Sequence, residues 1–108
     1  MNNIIGRKIY LAIPYSGIEK KSSLIADAIT VKLLKKGAHV FSPITYSHSL
    51  SQKHSLPGDW SFWEGLDIEF VKWADELWVV RLDGWKRSIG VMTEIQKAKE
   101  LGKVIRYI

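Results

Sequence analysis

Residues 76–108 read ELWVVRLDGWKRSIGVMTEIQKAKELGKVIRYI, and this stretch decides the fold class. It begins with a β-rich run at 76–82, and residues 88–101 then carry apolar side chains at helical spacing. Residues 103–108 are β-rich again. A strand, a helix and a second strand in this order form a βαβ unit, in which the two strands run parallel.

The rest of the chain repeats this alternation, which predicts an α/β fold. We expect a three-layer α/β/α, flavodoxin- or Rossmann-like domain over residues 1–108, with a parallel sheet of about four strands in the order 2-1-3-4. The segments predicted before residue 76 are, in chain order, a strand at 7–13, a helix at 18–36, a strand at 38–42, a long loop at 43–58 and a helix at 59–74.

Composition excludes several classes of protein. With 46% hydrophobic and 25% charged residues among 108, the chain is too apolar for disorder, and it lacks the run of about 18 apolar residues that a transmembrane helix needs. The absence of cysteine excludes disulfide scaffolds and thiolate metal sites. No signal-peptide pattern opens the sequence, so we expect a cytoplasmic protein with no membrane partner.

The charge balance favours an anionic small ligand. Sixteen basic against eleven acidic residues give a net charge of +5, but the lysines are dispersed where helices show their solvated faces. No RNP, KH or helix-turn-helix signature is present, so we expect no nucleic-acid partner.

Parallel sheets bind ligands beyond the carboxyl ends of their strands, near the point where the strand order reverses. Three predicted segments meet there, at residues 14–17, 43–58 and 83–88. A loop as long as 43–58 is usually functional or disordered, and we expect it to order over a ligand as a lid. Its His48 would reach the ligand, and the following Trp60, or else Trp63, would stack on it.

Two carboxylates occupy apolar faces of predicted helices. Glu94 falls on the inward stripe of the last helix, and Asp67 lies within the stripe of the middle helix. An unpaired carboxylate there costs several kcal/mol, so each has a structural partner, such as an arginine or a backbone amide, or a chemical function. Asp75 and Glu76 are expected to be solvated. The stripes consist of Val91, Ile95, Ala98 and Leu101 in the last helix and of Trp63, Leu66, Phe70, Val71 and Ala74 in the middle one.

The segment DGWKRSIG, residues 83–90, predicts an anion site. Ser88 is a good N-cap, Gly90 permits close approach, and free amides at a helix start attract phosphate or hydroxyl oxygens. It is neither a Walker loop nor a dinucleotide fingerprint. The spacing of His48 and His54 fits no metal site, so we expect no metal, and no GxSxG elbow supports a serine triad.

Three motifs resemble the nucleoside 2-deoxyribosyltransferase-like superfamily, which includes nucleoside deoxyribosyltransferases and deoxynucleoside 5′-monophosphate N-glycosidases. They are IYLAIPYS at 9–16, LDIEFVKWADELWVV at 66–80 and SIGVMTEIQKAKELGKVI at 88–105. The fuller pattern, with SPITYSHSL, LPGDWSFW and LDGWKRSIGV, is similar to a small bacterial and phage family of uncharacterised function within it.

This resemblance implies cleavage or exchange of an N-glycosidic bond, without a cofactor. Glu94 of the SxGxxxE motif would be the nucleophile, Asp67 would contact or protonate the departing base, and Tyr10 would hold the Glu94 carboxylate. Ser88 would bind the 5′ end of a nucleoside or nucleotide. The other expected substrate-binding residues are Pro14, Tyr15, Ser16, His48, Trp60, Trp63, Asp83 and Gly90.

Two further expectations stay open from the sequence. The same pocket would also serve a non-catalytic module that binds or sequesters a nucleotide-like ligand. Five tryptophans in so small a domain predict a homo-oligomer, most simply a dimer, because the interior has little room to cover them.

Overall fold

The computed structural model describes residues 3–108 and contains one four-stranded parallel sheet. The strands are β1 (Lys8–Ala12), β2 (His39–Phe41), β3 (Glu76–Val79) and β4 (Val104–Tyr107). Their order is β2-β1-β3-β4, and Tyr10 of β1 lies opposite Phe41 of β2 and Leu77 of β3. The α/β fold class and the strand order predicted from the sequence are confirmed.

Four α-helices connect and flank the strands. They are α1 (Glu19–Lys35), α2 (Pro43–His54), α3 (Trp60–Trp73) and α4 (Ile89–Glu100), and a 3₁₀ turn at Trp85–Arg87 precedes α4. Most of the predicted elements begin and end within about one residue of these bounds. The third strand is shorter than predicted, because β3 ends at Val79 and not at residue 82.

The prediction of a long loop at residues 43–58 was wrong, because most of this segment forms α2. Pro43 occupies the first turn, where a missing N–H costs nothing, and the Ser42 hydroxyl caps the helix by accepting a 3.3 Å hydrogen bond from the Thr45 amide. Within α2 only Pro43 and Ser47 are buried, so the helix carries no apolar stripe that periodicity could detect. We therefore do not retain the prediction that residues 43–58 form a loop that orders over a ligand as a lid.

The helices cover the two faces of the sheet in pairs, which gives the three layers. On one face, Val71 of α3 and Val91, Ile95 and Ala98 of α4 pack with Tyr10 in one core cluster. On the other face α1 packs against the sheet through Ala26 and Leu33, and Ile44 of α2 joins the same side. No helix within residues 3–108 is long and apolar enough to cross a membrane.

Two residues of the predicted inward stripes are exposed. Leu101 follows the end of α4 and is 41% exposed, and Leu66 lies at the edge of the buried face of α3. In both helices the stripe that touches the sheet is narrower than the sequence predicts. Glu94 and Asp67 nevertheless lie within it.

Candidate active site

A cavity of about 540 Å³ opens at the carboxyl end of the sheet, where the segment after β1, the start of α3 and the start of α4 converge. We call it the carboxylate pocket, because the acidic side chains Asp67 and Glu94 line it. Its size lies within the range of roughly 300–1,000 Å³ that is typical of small-molecule sites. The other predicted site residues that line it are Pro14, Tyr15, Ser16, Trp60, Trp63, Asp83, Ser88 and Gly90.

Glu94 stands at the inner end of the carboxylate pocket and is only 4% exposed. Helix α4 projects it from the same face as Val91 and Ala98, which pack against the sheet. The Tyr10 hydroxyl, itself buried on β1, donates a hydrogen bond to Glu94 Oε2. Burial raises the pKa of Glu94 well above its usual range; the hydrogen bond from Tyr10 opposes this shift and the nearby Asp67 charge adds to it.

Tyr10 lies behind Glu94 and does not itself line the carboxylate pocket. Burial, followed by the charges of Glu94 and Asp67, raises the pKa of the Tyr10 phenol well above its usual range. The phenol therefore keeps its proton and acts as a fixed hydrogen-bond donor to the carboxylate. Glu94 is thus oriented by a residue that does not itself line the cavity.

Asp67 is the second buried carboxyl group in the carboxylate pocket and is 6% exposed. Among residues 3–108 no group donates a hydrogen bond to it, and burial raises its pKa to about 7. A carboxyl group with this pKa exchanges a proton near neutral pH. Of the two buried carboxyl groups in the carboxylate pocket, Glu94 is hydrogen-bonded by tyrosine and Asp67 is free to meet a ligand.

The segment after β1 forms one wall of the carboxylate pocket. The Ser22 hydroxyl donates a hydrogen bond to the carbonyl oxygen of Pro14, which ties the end of the strand to α1. Tyr15 Oη and His48 Nδ1 lie 2.6 Å apart and share a hydrogen bond. His48 therefore lies behind Tyr15 and does not line the cavity, in contrast to its predicted direct contact with the ligand.

The Trp60 indole packs on the backbone of Gly90 at the start of α4. A Cβ atom placed on Gly90 would lie 3.1 Å from Trp60 Cε3, so glycine is what permits this contact. The sequence predicted close approach of a ligand at Gly90, whereas the tryptophan ring makes that approach here. The neighbouring Trp63 is fixed by its indole N–H, which donates a 2.7 Å hydrogen bond to the Pro57 carbonyl oxygen.

The turn before α4 adds further polar residues to the lining of the carboxylate pocket. The Ser88 side chain caps α4 by accepting a 3.2 Å hydrogen bond from the Val91 amide, and its hydroxyl donates no hydrogen bond within residues 3–108. Arg87 also lines the cavity, beside Asp83 and Gly84. Arg87 was not among the residues predicted to bind the ligand.

Ile18, Ile44 and Ser47 also line the carboxylate pocket and were missed from the sequence. Two of them belong to α2, which was predicted as a loop, so no face could be assigned to them. Within the described part of the chain, no group of three or more His, Cys, Asp or Glu side chains is arranged to hold a metal ion. The polar groups that line the carboxylate pocket are carboxyl, hydroxyl, guanidinium and backbone amide groups.

The fold and the pocket together define a three-layer α/β/α protein with two buried carboxyl groups at the carboxyl end of a parallel sheet. The chain belongs to the family described as domain of unknown function DUF1937, whose pattern matches residues 7–107. No curated protein matches the chain.

Proposed function

We propose that the carboxylate pocket cleaves or exchanges the N-glycosidic bond of a nucleoside or a nucleoside 5′-monophosphate. The observation that carries the proposal is the pairing of Glu94, held by Tyr10, with Asp67 in one small-molecule-sized cavity. The resemblance of the three sequence motifs to the nucleoside 2-deoxyribosyltransferase-like superfamily points to the same two carboxyl groups.

In the first step a carboxylate oxygen of Glu94 attacks the anomeric carbon of the sugar. The bond from that carbon to the base nitrogen breaks, and the base leaves with the electron pair and takes the proton of Asp67. The product is an ester between the sugar and Glu94. In the second step water or another base attacks the anomeric carbon, Asp67 takes up the proton that is released, and the ester bond to Glu94 breaks.

The hydrogen-bond partners of the two carboxyl groups favour this division of roles. Because two carboxyl groups that share a buried site do not both ionise readily, the pair retains a proton near neutral pH. The hydrogen bond from Tyr10 favours the ionised form of Glu94, whereas no donor among residues 3–108 favours the ionised form of Asp67. The reactive state is therefore ionised Glu94 beside protonated Asp67.

A base-release assay tests the proposal. The protein is incubated with a panel of nucleosides and nucleoside 5′-monophosphates, with and without a second free base, and the products are separated by chromatography. Wild type should release or exchange a base, and Glu94→Ala should lose about 10³-fold or more of that rate. Glu100→Ala, at the exposed end of the same helix, is the matched control and should retain activity. Absence of turnover in wild type, or undiminished turnover in Glu94→Ala, would overturn the proposal.

A second candidate is a non-catalytic module that binds a nucleotide-like ligand in the same cavity. One observation favours it: burial raises the pKa of Glu94, and a protonated glutamic acid donates a hydrogen bond to a sugar but is a poor nucleophile. This candidate predicts ligand-induced stabilisation that is lost in Asp67→Ala, without any product. The assay above and a thermal-shift measurement on the same panel therefore separate the two.

We also propose a homo-oligomer, most simply a dimer. Large apolar side chains stand exposed near the start of α4, where Ile89 lines the carboxylate pocket and is 73% exposed. Met92, one turn further along the helix, is exposed as well. Light scattering at micromolar concentration should give at least twice the chain mass of 12.4 kDa, and a monomer mass would refute this proposal.

A further inference from the structure

A second cavity, of about 380 Å³, lies on the other face of the sheet, between α1 and strands β3 and β4. We call it the α1 groove; it is lined by Lys32 of α1, by its C-cap residue Lys36, by Trp78 and Arg106 of the two strands, and by Arg7 before β1. Helices α3 and α4 cover the opposite face of these strands. The α1 groove is therefore separate from the carboxylate pocket.

Glu76 holds the polar side chains of the α1 groove in place. This carboxylate is 5% exposed, and its two oxygens accept 2.9 Å contacts from Arg7 and from Arg106 Nε. It also accepts a 2.8 Å hydrogen bond from the Trp78 indole N–H. The expectation that Glu76 is solvated was wrong, because arginines from both ends of the chain enclose it.

The side chains around the α1 groove carry a net positive charge. Four cationic side chains surround the α1 groove. Within residues 3–108, Glu76 is the carboxylate side chain that pairs with two of them, Arg7 and Arg106, and its single charge balances one of the four. Each arginine uses part of its guanidinium group on Glu76 and has further N–H donors, since a guanidinium group carries five. Lys32 lies in the last turn of α1, and Lys36, four residues later, is its C-cap residue, so the two side chains line the same groove and can meet one ligand.

The remaining walls of the α1 groove are apolar. This part of the lining consists of the half-buried Trp78 and of Ile29 and Leu33 of α1, which belong to the same hydrophobic cluster. The Glu76 hydrogen bond fixes the edge of the indole, so its ring is held in one orientation. A cavity that combines a fixed aromatic wall with unbalanced cations suits a ligand with a flat apolar body and an anionic group.

We propose that the α1 groove is a binding site for a small aromatic anion, such as an aryl phosphate. The flat body of the ligand packs against Trp78, and its anionic group binds Lys32, Lys36 and the free donors of Arg106. This site is independent of the chemistry proposed for the carboxylate pocket, so either proposal can fail without the other.

Titration with phenyl phosphate, followed by nuclear magnetic resonance of the ¹⁵N-labelled protein, tests the proposal. The five indole N–H signals are assigned from single Trp→Phe variants. The Trp78 indole signal and the Lys32 amide should shift saturably with phenyl phosphate. Phenol, which has the same ring without the anionic group, should bind at least about tenfold more weakly.

Charge reversal supplies the matched comparison. Lys32→Glu/Lys36→Glu should raise the dissociation constant for phenyl phosphate at Trp78 at least about tenfold. Lys53→Glu/Lys99→Glu changes the net charge by the same amount at exposed positions on α2 and α4. This control should leave the dissociation constant for phenyl phosphate unchanged. Three results would overturn the proposal. They are equal phenyl phosphate affinity in the two double variants, equal affinity of wild type for phenol and phenyl phosphate, and no saturable shift of the Trp78 indole signal at millimolar phenyl phosphate. A dimer interface that covers Trp78 and prevents its response would also overturn it.

Discussion

The Tyr10 hydroxyl donates a hydrogen bond to the Glu94 carboxylate, and both residues are buried. One lies on a central strand and the other on the helix that precedes β4, so the fold itself brings them together. Glu94 also lines the carboxylate pocket, where it can meet a ligand. The hydrogen bond makes Tyr10 a positioning residue for the proposed nucleophile.

Removal of the Tyr10 hydroxyl should therefore lower the rate without weakening substrate binding. In Tyr10→Phe the ionised form of Glu94 loses a donor, so its pKa rises further and the ionised fraction falls. We expect kcat to drop about 10- to 100-fold with little change in KM, and the acid limb of the pH–rate profile to move to higher pH. Tyr46→Phe, at an exposed position on α2, is the control. An unchanged pH profile in Tyr10→Phe would contradict the positioning role.

Asp67 should make the stability of the protein depend on pH. Its pKa is about 7 in the folded protein and near its ordinary 3.8 in the unfolded chain, so between these values the folded state holds a proton that the unfolded state has lost. The contribution of protonated Asp67 is fully present below about pH 4 and is lost as the pH rises through 7, an effect on the order of 4 kcal/mol.

Asp67→Asn removes this titration, so the variant should gain stability relative to wild type as the pH is raised from 5 to 8. Denaturant unfolding at the two pH values measures the difference. Asp27→Asn, at an exposed position on α1, should show no such change. A gap between Asp67→Asn and wild type that stays constant with pH would contradict the raised pKa.

Asp67→Asn should also simplify the pH dependence of the reaction. With both carboxyl groups present, activity requires one to be ionised and the other protonated, which gives a bell-shaped profile. Without the Asp67 proton we expect kcat to fall on the order of 10²- to 10⁴-fold and the remaining activity to rise with pH through a single ionisation, that of Glu94. A bell-shaped pH–rate profile that persists in Asp67→Asn would show that another group is the general acid.

The contact between Trp60 and Gly90 predicts a non-additive pair of substitutions. In Gly90→Ala the new methyl group meets the indole at 3.1 Å, so the ring must move and ligand affinity should fall several-fold. In the Trp60→Ala background the same change should have little further effect. Gly65→Ala, in α3 with open space around the new methyl group, is the control. Additive losses in the double variant would show that the ring and the glycine act independently.

The ion pairs of buried Glu76 with Arg7 and Arg106 should contribute far more stability than a surface ion pair. Glu76→Gln leaves two arginines beside a buried neutral side chain, and we expect a loss of about 3 kcal/mol in the free energy of unfolding. Glu69→Gln breaks an exposed pair with Lys72 and should cost less than about 1 kcal/mol. Equal losses, measured by denaturant unfolding, would contradict the structural role of Glu76.

The parts of the fold that follow simple periodicity could be predicted from the sequence. Glu94 and Asp67 stood out because helical spacing placed them among apolar residues, and the structure buries both. Helix α2 was missed because its stability comes from the Ser42 cap, Pro43 and contacts with other elements, none of which produces an apolar stripe.

The rest of the site depends on contacts between residues that are distant in sequence. Glu76 looked solvated at the start of a strand, and only the fold brings Arg7 and Arg106 to it. The packing of Trp60 on Gly90 and of His48 on Tyr15 likewise joins different elements. Such pairs leave no periodic pattern in a single sequence.

Capture of the proposed sugar ester on Glu94 tests the central claim most directly. A nucleoside substrate of the panel is replaced by its analogue with fluorine at C2′, which slows loss of the ester because fluorine destabilises the positively charged transition state. Mass spectrometry of the intact protein should then show one added fluorinated sugar, and peptide mapping should place it on Glu94, with none in Glu94→Gln. Base release without any adduct on Glu94, or an adduct on another residue, would contradict the account.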